Sequence, residues 1–219
     1  MTLHWWTGWL ASYPAGALGL RLRVEGRRNL GPGPQIIASN HVTNVDPLVL
    51  GWAAARELNF LAKAELFEAS RFFAWLIRGF NAWPVRRGGA DRAALGTCHS
   101  ILRAGRTLVL FPEGTRSPTG RLAAFKPGVG MLAIKNRAPV VPTAIVNLDR
   151  TWISYLADRD FVRRGLRRRP RRLLSVRVRF GAAVSPDGYG ADRDGYLALA
   201  GEVENRVREL AGQDPGGAS

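Results

Sequence analysis

The stretch Ile36-Ile37-Ala38-Ser39-Asn40-His41-Val42-Thr43-Asn44-Val45-Asp46-Pro47 decides the fold. The apolar run Ile36 to Ala38 ends in Ser39, and a histidine follows at once. A short apolar run closed by polar residues reads as a buried strand, and open α/β sheets place their chemistry at such strand ends. Asp46 precedes Pro47 and the apolar series Leu48, Val49, Leu50 and Trp52. That order predicts a helix start, with Asp46 as N-cap and Pro47 at the first helical position. The loop between is short and pinned at both ends. It can therefore fold the Asp46 carboxylate back onto one imidazole nitrogen of His41 while the other nitrogen faces a substrate. This is how a general base is oriented. A surface histidine beside a structural cap is the alternative for the same residues. A second polar cluster, Phe111-Pro112-Glu113-Gly114-Thr115-Arg116-Ser117, also follows an apolar strand, Leu108-Val109-Leu110, and favours a site.

Outward from these two stretches the chain alternates strands and helices. Strands are expected at Leu18 to Val24, Leu58 to Ala62, Ala82 to Val85, Thr107 to Phe111, Val140 to Val146 and Leu173 to Phe180. Helices are expected from Pro47, over Glu65 to Ile77, Asp91 to Ala104, Lys126 to Asn136 and Asp192 to Leu210. Val140 to Val146 lacks alternation and so reads as buried on both faces. The pattern predicts one α/β domain over residues 21–211, a central mostly parallel sheet flanked by helices. Residues 212–219 read as a frayed tail. Trp52, Phe67, Phe72, Phe73 and Trp75 form an aromatic-rich zone, read as core, with a groove for an apolar chain as the sharper alternative. Arg86-Arg87-Gly88-Gly89 is a basic turn that can clamp a phosphate, or a solvated turn of the same composition. Cys98 and His99 are sequence neighbours on a helix and point about 100° apart, which rejects a thiol nucleophile.

The first twenty residues contain no Asp, Glu, Lys or Arg but hold Trp5, Trp6, Trp9 and Tyr13. Polar residues, Pro14 and glycines make the segment a poor spanning rod. Trp and Tyr favour the water–lipid boundary, so residues 1–20 read equally as a membrane-interfacial segment or as a terminal helix packed on the domain. The chain's 219 residues suffice for one domain, and 46% hydrophobic with 22% charged residues excludes a disordered chain or an integral bundle. A formal net charge of +15 calls for a polyanionic partner. Of 32 basic residues only Lys63, Lys126 and Lys135 are lysines, a skew that codon usage alone would also produce. Seven arginines lie between Arg163 and Arg172; such a run is a solvated loop or a hold on anionic lipid. One cysteine excludes an internal disulfide, and three scattered histidines make no zinc site.

The two polar stretches together resemble the glycerolipid acyltransferase family. Asn40-His41, four residues, then Asp46 matches its first motif, and Phe111 to Ser117 its third. Trp83-Pro84-Val85-Arg86-Arg87 matches the second loosely, with Arg87 aligned to its arginine, and Val140 to Ala144 the fourth. Lys63 to Leu66 and Phe125 to Gly128 are similar to bacterial members. The resemblance covers Gly26 to Asn147. It implies an O-acyltransferase of phospholipid biosynthesis. An acyl thioester, of coenzyme A or acyl carrier protein, would acylate the free hydroxyl of lysophosphatidic acid without cofactor or metal. His41 and Asp46 would be catalytic. Arg87, Arg116 and Lys126 would hold the acceptor phosphate, beside Glu113, Gly114 and Thr115 of the acceptor-binding motif. Glu113 would accept from a glycerol hydroxyl or fix Arg116. The implied setting is the cytoplasmic face of the cell membrane, peripheral or monotopic, on an anionic surface, which tips residues 1–20 to the membrane-interfacial reading. A lyso-aminolipid acceptor is one alternative and a non-catalytic nucleic-acid module another; the chain holds no nucleic-acid recognition motif.

Overall fold

The computed structural model describes Leu10, Tyr13 and residues 19–68, 77–79, 81–85, 91–158, 160–167, 169–171 and 174–213. Expectations for Trp5, Trp6, Trp9, Phe72, Phe73, Trp75, Arg87, Arg168 and Arg172 fall outside the described residues. Seven strands form one sheet: β1 Arg23–Glu25, β2 Gln35–Ser39, β3 Asn59–Lys63, β4 Ala82–Val85, β5 Thr107–Leu110, β6 Val140–Val146 and β7 Arg177–Phe180. Their order across the sheet is β1-β7-β6-β2-β5-β3-β4. Every neighbouring pair is parallel except β6 and β7. The helices are α1 Asp46–Ala54, α2 Ala64–Glu68, α3 Asp91–Arg103, α4 Gly128–Asn136, α5 Trp152–Ala157 and α6 Arg193–Ala211. The domain is thus the α/β architecture that the alternation predicts.

β2 sits at the centre with all five residues buried. Its pairing with β5 sets Ile36 beside Leu108 and Ile37 beside Val109. Successive side chains then enter opposite layers, as the pleat requires. Ile36 and Ala38 join a core built with α3, α4 and α6. Ile37 joins the other core, with Val49, Leu50 and Ala53 of α1. Each such side chain withdrawn from water is worth about 1.5–3 kcal/mol, so β2 is held from both faces. The layer of α4 and α6 closes tightly at Gly130, where a Cβ would stand 2.2 Å from the Tyr196 carbonyl oxygen.

Several boundaries differ from those expected, each for a local reason. β1 starts at Arg23 rather than Leu18, because Arg21 adopts a left-handed φ of 48° that breaks an extended run. α4 starts at Gly128 rather than Lys126, whose N–H donates to the Pro112 carbonyl across the site loop. β7 is confined to Arg177–Phe180 instead of reaching back to Leu173. Gly212 and Gln213, expected to begin the tail, are tied down. Gly212 ends α6 at φ 66°, and the Gln213 side chain accepts from the Leu122 N–H at 2.8 Å. The aromatic zone divides: Trp52 is core, while Phe67 lines an open groove with Pro84 and Val85.

Candidate active site

β2 and β5 are parallel neighbours, so the two polar stretches leave the sheet side by side at its carboxyl edge. His41 follows β2, and Phe111 follows β5. The two rings stack with centroids 4.1 Å apart and planes 22° apart. The loops are also sewn together. His41 N–H donates to Glu113 Oε1 at 2.8 Å, and Ser117 N–H donates to the His41 carbonyl at 2.9 Å. Asn40 closes the base of the loop against β6, donating to the Ile145 carbonyl at 3.0 Å and accepting from its N–H at 2.8 Å.

His41 Nδ1 lies 2.7 Å from Asp46 Oδ2. The same oxygen accepts from Val42 N–H at 2.6 Å and Thr43 N–H at 3.0 Å, while Oδ1 accepts from Thr43 Oγ1 at 3.0 Å. An oxygen already accepting two amide protons is an acceptor toward the ring as well, so Nδ1 carries the proton and Nε2 the lone pair. Asp46 is fully buried, whereas the histidine side chain remains 20% exposed. The carboxylate is therefore turned back into the loop. It does not cap α1 as expected; Val45 occupies the cap position and makes no side-chain bond there. The loop's own amides claim the oxygens first.

Glu113 is buried and acts within the protein scaffold. Its Oε1 takes the His41 N–H and its Oε2 the Ala123 N–H at 2.9 Å. Burial pushes its carboxyl above the ordinary glutamate range. The amides of Ala123 and His41 oppose that shift, and the Asp46 charge adds to it. Glu113 does not fix Arg116 as expected, because Arg116 pairs with Asp158 instead. Asp158 also accepts from the Asn44 N–H at 3.0 Å, joining the first and third motifs to a segment far along the chain. The Arg116 guanidinium lies over the Phe161 ring at 4.1 Å. One edge and one face of this arginine are thus engaged, and its side chain is 28% exposed.

Gly114 turns the third motif at φ 78° and donates to the Phe111 carbonyl at 2.9 Å. A Cβ there would stand 2.5 Å from Lys126 Nζ, so the ammonium lies directly on the turn. Thr115 is exposed beside it. The structure accordingly gathers His41, Asp46, Glu113, Gly114, Thr115, Arg116 and Lys126 around one edge of the sheet. Asp158 and Phe161 escaped the sequence reading. The one available signal is Thr151, which caps α5 by accepting from Ser154 N–H at 3.2 Å and so announces a helix ahead of Asp158. Cys98 stands apart: it is buried, and burial pushes its thiol up to about 11, far from a reactive thiolate.

The α/β fold agrees with what similarity shows. The chain belongs to the acyltransferase family, whose model matches residues 21–146. It is 29% identical over 130 residues to a chloroplastic 1-acyl-sn-glycerol-3-phosphate acyltransferase of Arabidopsis thaliana, covering 58% of this chain and 36% of that protein. The protein of the same name in Saccharomyces cerevisiae is 31% identical over 136 residues, covering 59% and 44%. A crystal structure of the 1-acyl-sn-glycerophosphate acyltransferase of Thermotoga maritima superposes with a TM-score of 0.67 at 26% identity, covering 91% of this chain and 77% of that one. The chain spans about half the length, or less, of most of the curated relatives it matches. Among the described residues no helix is long and apolar enough to cross a membrane.

Proposed function

We propose that this chain transfers a fatty acyl group from a thioester, of coenzyme A or acyl carrier protein, to the free hydroxyl of lysophosphatidic acid, giving phosphatidic acid. The observation that carries the reading is the 2.7 Å contact of His41 Nδ1 with a buried, fully engaged Asp46, which leaves Nε2 as a free base. Nε2 takes the acceptor's hydroxyl proton as its oxygen bonds to the thioester carbonyl carbon. The buried carboxylate stabilises the imidazolium that forms. Collapse of the tetrahedral adduct breaks the C–S bond, and the imidazolium returns its proton to the departing sulfur. The acceptor is the nucleophile, so no acyl-enzyme is formed. A guanidinium has five N–H donors, so Arg116 can meet the acceptor phosphate while retaining Asp158, with the Lys126 ammonium on the adjoining turn. Arg87 is assigned to the same phosphate on its motif alone. The enzyme works at the membrane surface as a peripheral protein.

The test is release of free thiol by the purified protein, given an acyl thioester and acceptors with and without a phosphate. His41→Ala should lower turnover by about 10²–10⁴-fold. Wild-type turnover in that variant would refute the base. Equal use of both acceptors by the wild type would remove the phosphate assignment and turn attention to a lyso-aminolipid.

A further inference from the structure

We propose that the outward face of α5 and the arginine-bearing turn after it form a docking surface for an anionic lipid bilayer, which seats the active site against the membrane. Trp152 and Leu156 stand one helical turn apart, hence on one face. They are 55% and 74% exposed, where burial is the ordinary fate of such side chains. Trp152 meets Tyr155 edge-on at 5.7 Å, so two amphipathic rings pack together on the helix that carries the leucine. Beside them lies a groove of about 590 Å³ walled by Trp152, Tyr155, Arg163, Arg167, Arg169 and Pro170.

The composition fits a phospholipid surface layer by layer. A leucine projecting from the helix enters the acyl region. Indole and phenol rings settle at the headgroup level. Guanidinium forks bind lipid phosphates in bidentate fashion. Charge complementarity is direct, because the described residues lining the groove include three arginines and no carboxylate. Nucleic acid would reward the arginines and the rings but not a leucine 74% exposed at the same face.

The position of the patch matters as much as its composition. α5 runs straight into Asp158, which holds Arg116 and the Asn44 N–H, and Phe161 lies beneath the Arg116 guanidinium. The segment that would meet lipid is therefore the one that braces both site loops. A substrate whose acyl chain stays in the bilayer then needs to rise only as far as its headgroup to reach His41. That consequence rests on the acyltransferase reading; the binding does not.

The experiment is co-sedimentation of the full chain with vesicles of phosphatidylcholine alone, or of phosphatidylcholine with phosphatidylglycerol. At about fivefold per charge, equivalent to about 1 kcal/mol, Arg163→Glu with Arg167→Glu should lower partition onto the anionic vesicles by about 25-fold or more. Leu156→Asp should lower partition onto both kinds of vesicle, by about tenfold. All three positions are exposed, and circular dichroism will verify that the variants fold. Unchanged partition in both variants overturns the proposal. So does tighter binding of the wild type to a DNA duplex than to anionic vesicles, if the arginine variant alone abolishes it. Failure of the acyltransferase reading would appear separately, as thiol release that persists in His41→Ala, with vesicle partition unaffected.

Discussion

The loop from His41 to Asp46 and the segment from Trp152 to Gly165 brace the same site, but different physics holds each. In the first, Asp46 takes bonds from residues three to five positions away, and the geometry is written into one short piece of chain. In the second, Asp158 reaches across 42 residues to Arg116 and 114 to Asn44. Such a contact exists only once the whole sheet has formed. The chemistry is therefore prepared locally, and the grip on the site's outer wall is a product of the tertiary fold. Mutations in the two regions should consequently separate rate from stability.

The largest effect is expected from Asp46→Asn. The amide can retain the loop, with its oxygen facing Val42 N–H, Thr43 N–H and His41 Nδ1, and its NH₂ donating to Thr43 Oγ1 once that hydroxyl rotates. What disappears is the charge that stabilises the imidazolium. Turnover should fall by about 10²–10⁴-fold while urea unfolding moves little. A variant that unfolds readily would mean that the loop depends on the charge for its shape. The local region would then be no different in kind from the distant one.

The same division explains what the sequence made legible. β2 announces itself by the apolar run Ile36 to Ala38 and β6 by its lack of alternation, and Asp46-Pro47 marks a helix start in two letters. The family motifs brought together most of the residues now found at the sheet edge. Sequence carries little signal wherever a residue's role is set by a distant partner. Asp158 follows a helix of only six residues and stands just before an arginine-rich run with no period to read. Glu113 had its place foreseen but not its task, since nothing in Phe-Pro-Glu-Gly-Thr-Arg indicates that its oxygens receive the amides of His41 and Ala123. Asp46 was expected to cap α1 and to reach the histidine. Three donors in its own loop decide in favour of the histidine.

A middle-sized effect belongs to Asp158→Asn. The Asn44 N–H keeps an acceptor, but the guanidinium of Arg116 loses its counter-charge. A charge-assisted hydrogen bond is worth about 1.5–3 kcal/mol, which for a chain of this size lowers Tm by about 3–12 °C. Rate should suffer selectively: kcat/KM for a phosphorylated acceptor should drop about tenfold through KM, because the freed arginine no longer points reliably. An unphosphorylated acceptor should be used as before. Melting curves and paired acceptor kinetics decide the matter. If both acceptors lose equally, Asp158 steadies the catalytic loop through Asn44, and the contrast between the regions is weaker than drawn.

The smallest effect, and the most diagnostic for the seam between the regions, is that of Glu113→Gln. Gln keeps the size of the side chain but offers one acceptor where two backbone amides need one each, so either His41 N–H or Ala123 N–H meets an NH₂ group. The cost at neutral pH should be about 1–3 kcal/mol, with turnover reduced severalfold as the His41 backbone relaxes. That cost should depend on pH. Burial raises the folded-state pKa of Glu113 above its value in the unfolded chain. Between the two values the folded protein holds the proton while the unfolded chain has released it, so stability falls as pH rises through that window. The stabilising contribution is complete below the unfolded value, near pH 4, and is lost above the folded one. Glutamine does not titrate, so the stability gap between wild type and variant should narrow as pH increases from about 4 toward neutrality and then stay level. Urea unfolding of both proteins at closely spaced pH values measures the gap. A gap that widens over that range would mean that the amides of His41 and Ala123 outweigh burial and hold Glu113 ionised.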